Sequence, residues 1–298
     1  MAHETTDHPR GSAAIGRRTA LALAAIGAFT VTRPTPARAT DSPIPTLPGE
    51  AWRDTTRVSR IGQKPYEVID VVQDGDTARL YVPWTAALRG QKPGAMVWFY
   101  HSNGSTHTAM DGAYAYPGQL CVDQGATSIC PTFGGPSTWT NQTSIALQTA
   151  WSAWVRATFS VGVAYARANS GGGSLMTYAY ARGMIANERG IYLANATYDN
   201  EELYSRDPVR IGSAYDDDPA KIAATNPARI GQAAWKGKRF KTIVSEADFI
   251  VPPVAHGLKL ADLARPVAAD VRVQYHDGGH TVPGFTHTDM ISTFRSWS

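Results

Sequence analysis

Cysteine, net charge and long apolar runs are all scarce in this sequence, and each scarcity excludes a class of protein. Two cysteines in 298 residues are too few for a disulfide-built scaffold or a multi-cysteine zinc module. Charged residues make up 18% and the formal net charge is only +3. That excess sits at the start. Residues 1–39 carry Arg10, Arg17, Arg18, Arg33 and Arg38 against Glu4 and Asp7, which leaves residues 40–298 with equal numbers of basic and acidic side chains. A nucleic-acid-binding face needs clustered cations to neutralise phosphates; the sequence shows none, so nucleic acid is not an expected partner. No apolar run reaches the ~20 residues a membrane-spanning helix needs. What is present is core material, 43% hydrophobic and 10% aromatic, which excludes a disordered chain. The length suits one large α/β domain or two small ones.

The first 39 residues read as an export signal. Arg17-Arg18 precedes the apolar run Ala20 to Val31, and Ala37-Arg38-Ala39 follows. A charged start, a short apolar stretch and an A-x-A-like site are the parts of a secretory peptide, and the paired arginines resemble a twin-arginine signal. Cleavage is expected between Ala39 and Thr40, releasing a secreted, extracytoplasmic protein. In such an oxidising compartment Cys121 and Cys130 are expected to pair as a disulfide, the alternative being two buried free thiols.

Along residues 40–298 the pattern is one of alternation. Residues 40–50 read as an extended lead-in. Tyr66 to Val72 and Thr77 to Pro83 read as strands joined at the Asp74-Gly75 turn. Ala95 to Tyr100 is an unbroken apolar run, as in a strand buried on both faces of a parallel sheet. Strands are expected at 126–131, 161–168, 190–194, 240–244 and 271–275, and helices at 110–124, 144–157, 174–182, 254–263 and 288–297. Repeated β-then-α units predict a mostly parallel central sheet flanked by helices on both faces, with ligands at the carboxyl ends of the strands. The stretch 199–235 interrupts the alternation and is expected to form a small helical lid or excursion. Within it, Asp216-Asp217-Asp218 reads less as a cation site than as Asp218 capping a helix that Pro219 begins.

Three strand ends carry the candidate chemistry. Around Ala168-Asn169-Ser170-Gly171-Gly172 a strand ends at a serine and a helix follows. A nucleophile on a tight strand-to-helix turn needs small residues two positions before and two after it; Ala168 and Gly172 meet that need around Ser170, whereas Ser174 would put Met176 there. Asp248 follows the strand 240–244, where a carboxylate can orient an imidazole; Glu246 and Asp199 are the alternatives. His280 follows the glycine pair Gly278-Gly279 and is the candidate base, while His276 reads as strand-edge structure and His287 as a cap of the last helix. Trp139 reads either as an exposed aromatic suited to a polymeric substrate or, as is common for aromatics in a Pro/Gly loop, as local packing.

The order Ser170, Asp248, His280 resembles the α/β-hydrolase superfamily, over about residues 66–298. Tyr100-His101-Ser102-Asn103-Gly104-Ser105 looks like that superfamily's oxyanion loop, with Ser102 where glycine is usual. The resemblance implies oxyanion donors at the Gly171 N–H and at Asn103, or else Ser102. It further implies a secreted serine hydrolase that cleaves carboxylic esters of small or polymeric substrates through an acyl-enzyme, with no metal or organic cofactor. A peptidase or amidase on the same scaffold, or a noncatalytic binding protein with that fold, are the alternatives.

Overall fold

The computed structural model describes residues 42–298; the expected export signal lies outside them. The described residues build a nine-stranded sheet from β1 (Glu50–Val58), β2 (Pro65–Gln73), β3 (Asp76–Pro83), β4 (Gly94–Tyr100), β5 (Thr127–Pro131), β6 (Val161–Asn169), β7 (Glu188–Ala194), β8 (Arg239–Val244) and β9 (Asp270–Tyr275). The strands lie in the order β1-β2-β3-β5-β4-β6-β7-β8-β9. β1, β2 and β3 pair antiparallel, as does β3 with β5, and from β5 through β4 to β9 every pairing is parallel.

The parallel strands show why an unbroken apolar run was needed. Along β4, Met96, Trp98 and Tyr100 enter one core and Val97 and Phe99 enter the core on the opposite face, so both faces exclude water. The helices that cover these faces are α1 (Ala115–Asp123), α2 (Gln142–Thr158), α3 (Gly172–Ala181), α7 (Gly257–Ala264) and α8 (Thr286–Ser296). Between β7 and β8 lie α4 (Asn200–Arg206), α5 (Pro208–Ile211) and α6 (Pro219–Thr225), with short 3₁₀ turns between and after them. The sequence predicts one helix over 110–124, but Gly112 breaks the segment into a 3₁₀ turn (His107–Asp111) and α1. It predicts no strand at 50–58. β1 is an edge strand of mostly polar residues, none of them buried, and a row of this kind lacks the apolar alternation by which strands are read. Its Arg53 is fixed to the buried Glu67 of β2 at 2.5 Å.

The expected disulfide is not formed: Cys121 and Cys130 are both free and buried. The register explains this. Both thiols point into the same core, but the Cys121 side chain meets Ser128, two residues before Cys130 on the same face of β5. Two residues along a strand span about 6.6 Å, far beyond an S–S bond of about 2 Å. Burial pushes the Cys121 thiol up to about 12, despite the contact with Ser128.

The helical excursion is built on its own small core of Trp139, Leu203, Ile211, Tyr215 and Ile222. Buried hydrogen bonds pin it down. The Thr140 N–H donates to the Tyr215 hydroxyl (3.1 Å), Asn141 Nδ2 to the Ala214 carbonyl (3.1 Å), and Asn200 Nδ2 to the Tyr215 hydroxyl (3.1 Å). Asp218 caps α6, accepting from the Ala220 N–H, with Pro219 at the first helical position.

Candidate active site

The site forms at the carboxyl ends of β6, β8 and β9, where parallel strands stop and their last carbonyls and amides turn outward. Ser170 follows β6 in the left-handed region, with φ +48°, a conformation that costs a non-glycine residue roughly 1–3 kcal/mol unless its surroundings impose it. They do. Its N–H donates to the Ala194 carbonyl (3.1 Å), and its carbonyl accepts from the N–H groups of Gly173 (3.0 Å) and Thr197 (2.9 Å). The two residues after Gly171 must be glycine. A Cβ on Gly172 would lie 2.3 Å from the Tyr100 carbonyl oxygen, and one on Gly173 2.5 Å from the Ala196 Cβ. The turn therefore seats the amino end of α3 directly behind Ser170, two residues earlier than the sequence predicts.

Three side chains from distant parts of the chain meet here. Ser170 Oγ lies 2.9 Å from His280 Nε2, and His280 Nδ1 lies 2.8 Å from Asp248 Oδ2. An ionised carboxylate only accepts, so Nδ1 carries the proton and Nε2 is free to accept from the serine hydroxyl. Asp248 is 2% exposed, and its other oxygen accepts from the N–H groups of Ile250 (2.9 Å) and Val251 (2.8 Å). Burial alone would raise its pKa; the His280 and backbone hydrogen bonds outweigh it and hold the carboxyl below the usual carboxylate range.

Of the alternatives, none joins this chain of contacts. Ser174 is fully buried in α3, where its hydroxyl bonds Thr140 and Asn200 Oδ1. Glu246 points to solvent. Asp199 caps α4 and pairs with Lys259 at 2.5 Å. His276 accepts from the Gly278 N–H at Nδ1 (3.1 Å) and faces Asn195 Oδ1 with Nε2 (3.1 Å). His287 lies inside the first turn of α8 and makes no cap. Its ring meets Tyr116 edge to face, and burial, with the charge of Arg167, lowers its pKa to about 4.

The loop after β4 comes up against the serine turn. A Cβ on Gly171 would sit 3.0 Å from the Asn103 amide nitrogen, so the Asn103 and Gly171 backbones converge beside Ser170. Ser102 instead turns its hydroxyl to the Asn169 carbonyl (3.3 Å). His101 bridges the loop to β5, with Nε2 2.8 Å from the Thr132 carbonyl and Nδ1 3.0 Å from the Ser102 carbonyl. A narrow pocket opens there between Asn103, Phe133, Trp139, Gly171 and Leu175. Trp139, readable as exposed or as packed, is 6% exposed. It stands between this pocket and the helical excursion, which covers its outer side. The loops bearing Asp248 and His280 also carry exposed apolar side chains, Phe249 (83% exposed), Val254 (74%) and Phe285 (39%).

Two supporting residues escape the sequence reading. Asn195, just past β7, donates from Nδ2 to the carbonyls of Gly279 (3.2 Å) and Thr281 (2.6 Å), on either side of His280. His256 is fully buried and its Nδ1 accepts from the N–H groups of Tyr198 (3.1 Å) and Asp199 (3.0 Å), which joins the segment after Asp248 to the start of the excursion. An asparagine immediately after a parallel strand was a legible signal; nothing in the local pattern marks His256.

A strand order of this kind, with helices on both faces and the reactive groups at the carboxyl ends, is the α/β-hydrolase fold, and solved structures agree. The chain is similar to an S-formylglutathione hydrolase from Agrobacterium tumefaciens at 13% identity, covering 84% of this chain and 100% of that one with a TM-score of 0.62. It is similar to an acetyl xylan esterase from Paenibacillus sp. R4 at 12% identity, covering 83% and 88% with a TM-score of 0.60. A third similar structure is the Pyrococcus furiosus esterase Pf2001, at 12% identity, 85% and 99% coverage and a TM-score of 0.59. No protein-family model matches the chain, and no curated protein matches it in sequence.

Proposed function

We propose that this protein is a serine hydrolase that cleaves carboxylic esters through an acyl-enzyme. The observation that carries the proposal is the unbroken relay from Ser170 Oγ through His280 to Asp248, at 2.9 Å and 2.8 Å. In it His280 takes the proton of Ser170 as the hydroxyl attacks the ester carbonyl, and Asp248 stabilises the imidazolium that forms. The N–H groups of Gly171 and Asn103 receive the oxyanion, each worth roughly 3 kcal/mol. The alcohol leaves with the proton from His280. Water, deprotonated by the same imidazole, then releases the acid and restores Ser170. Esterases among the similar folds support an ester substrate. Export of the chain, with loss of residues 1–39, belongs to the same proposal.

The test is labelling with a fluorophosphonate followed by peptide mapping. Label on Ser170 is expected, lost in Ser170→Ala and kept in Ser174→Ala. Label elsewhere, or none on folded protein, sinks the proposal. p-Nitrophenyl esters of rising acyl length, run beside a peptide substrate, separate esterase from peptidase.

A further inference from the structure

Tyr114 stands just before α1 and caps nothing with its side chain. It is 1% exposed, and its hydroxyl reaches down between the carboxyl ends of β4 and β6. There it accepts from the Asn169 N–H (3.0 Å) and donates to the Tyr100 carbonyl (2.5 Å). The position of these groups is dictated by the ladder. In a parallel strand successive N–H groups face opposite neighbours. Those of Ala164 and Ser170 face β7, at the Asn187 and Ala194 carbonyls, so that of Asn169 faces β4. The phenol oxygen therefore sits at the last rung joining β4 to β6.

Past that rung each backbone leads at once to a candidate oxyanion donor: Asn103 lies three residues after Tyr100, and Gly171 two residues after Asn169. The ring of Tyr114 is itself immobilised, with the Phe99 ring 4.8 Å away and the Arg167 guanidinium 6.0 Å from its centroid. Burial pushes the phenol above its ordinary pKa, so its proton stays available to the Tyr100 carbonyl. A second, weaker tie joins the same segments, from the Ser102 hydroxyl to the Asn169 carbonyl.

We propose that Tyr114 is a positioning residue that sets the separation of the Asn103 and Gly171 N–H groups, and thereby the stabilisation of the oxyanion, without touching substrate. This rests on the serine-hydrolase reading. A hydrogen-bond donor displaced by a fraction of an ångström loses much of its value in the transition state while leaving ground-state binding nearly unchanged.

The experiment compares Tyr114→Phe with Tyr180→Phe. Tyr180 is an equally buried phenol, bonded to the Arg239 carbonyl at the amino end of β8, far from the reacting groups. Tyr114→Phe is expected to lower kcat by ~10- to 100-fold with KM within about twofold. Affinity for a trifluoromethyl ketone, whose adduct places an anionic oxygen between the two donors, should fall by the same factor, and affinity for the product acid should hold. Tyr180→Phe should lose stability and keep kcat. Wild-type kcat and ketone affinity in folded Tyr114→Phe overturn the idea, as does an equal loss of ketone and product affinity. If Tyr114→Phe does not fold, Ser102→Ala tests the same spacing through the second tie. A fall in ketone affinity supports it and an unchanged affinity overturns it. Failure of the underlying reading shows separately, as wild-type protein that takes no label at Ser170.

Discussion

Two carboxyl groups, buried at opposite ends of the same parallel strands, meet opposite fates. Asp248, past the carboxyl end of β8, has one oxygen on two backbone N–H groups and the other on His280, and its pKa is held down. Glu188 begins β7 at the amino end of the sheet. Neither of its oxygens has a hydrogen-bond partner, and burial, only partly offset by the charge of Lys238, pushes it up to about 8. Burial is common to both, so burial does not decide the charge; the supply of donors does. At the carboxyl ends the turns after each strand aim N–H groups inward, and there a charge can be kept without water. At the amino end no such turn serves Glu188, and the group keeps its proton instead.

That contrast can be broken most violently at Asp248. Asp248→Asn keeps the shape but reverses the tautomer that His280 needs, and kcat is expected to fall ~10⁴-fold with the protein still folded; steady-state kinetics beside circular dichroism measure this. A residual rate within tenfold of wild type, a limit set well inside that loss, would deny the carboxylate its role. A smaller effect is expected at Asn195→Ala. The two carbonyls flanking His280 lose their clamp while the relay itself stays intact, so kcat should drop ~10-fold with little change in KM. The gentlest test is Glu188→Gln, read as stability against pH. A carboxyl whose folded pKa lies above its unfolded value binds more protons in the folded state, so stability is full below the ordinary value of 4.5 and declines as pH rises toward about 8. Glu188→Gln should flatten that part of the curve and raise Tm at pH 8 by roughly 5 °C, with no gain at pH 4. A curve that keeps its slope would show that Glu188 is already ionised in the folded protein.

How far the sequence carries the argument follows from the range of each interaction. The serine turn was readable because its constraint is local: a tight strand-to-helix turn admits only small neighbours, and Ala168 and Gly172 display that at fixed spacing. Asp248 and His280 were readable from their places after strands, and Glu246 fell away only once the turn was seen to aim it at solvent. Other features depend on which residues meet in space. The free cysteines follow from a two-residue offset between α1 and β5 that no spacing rule contains. Trp139 could be read as exposed because its own loop is polar; its cover comes from residues some seventy positions later. Tyr114 carries no local mark, since what matters is the rung it reaches. β1 was missed for a different reason: an edge strand need not bury either face, so its composition is that of a loop.

Because Cys121 and Cys130 lie in one core without bonding, no disulfide holds the described part of the chain. Packing and hydrogen bonds alone hold that part together, and a reductant finds no disulfide among the described residues to break.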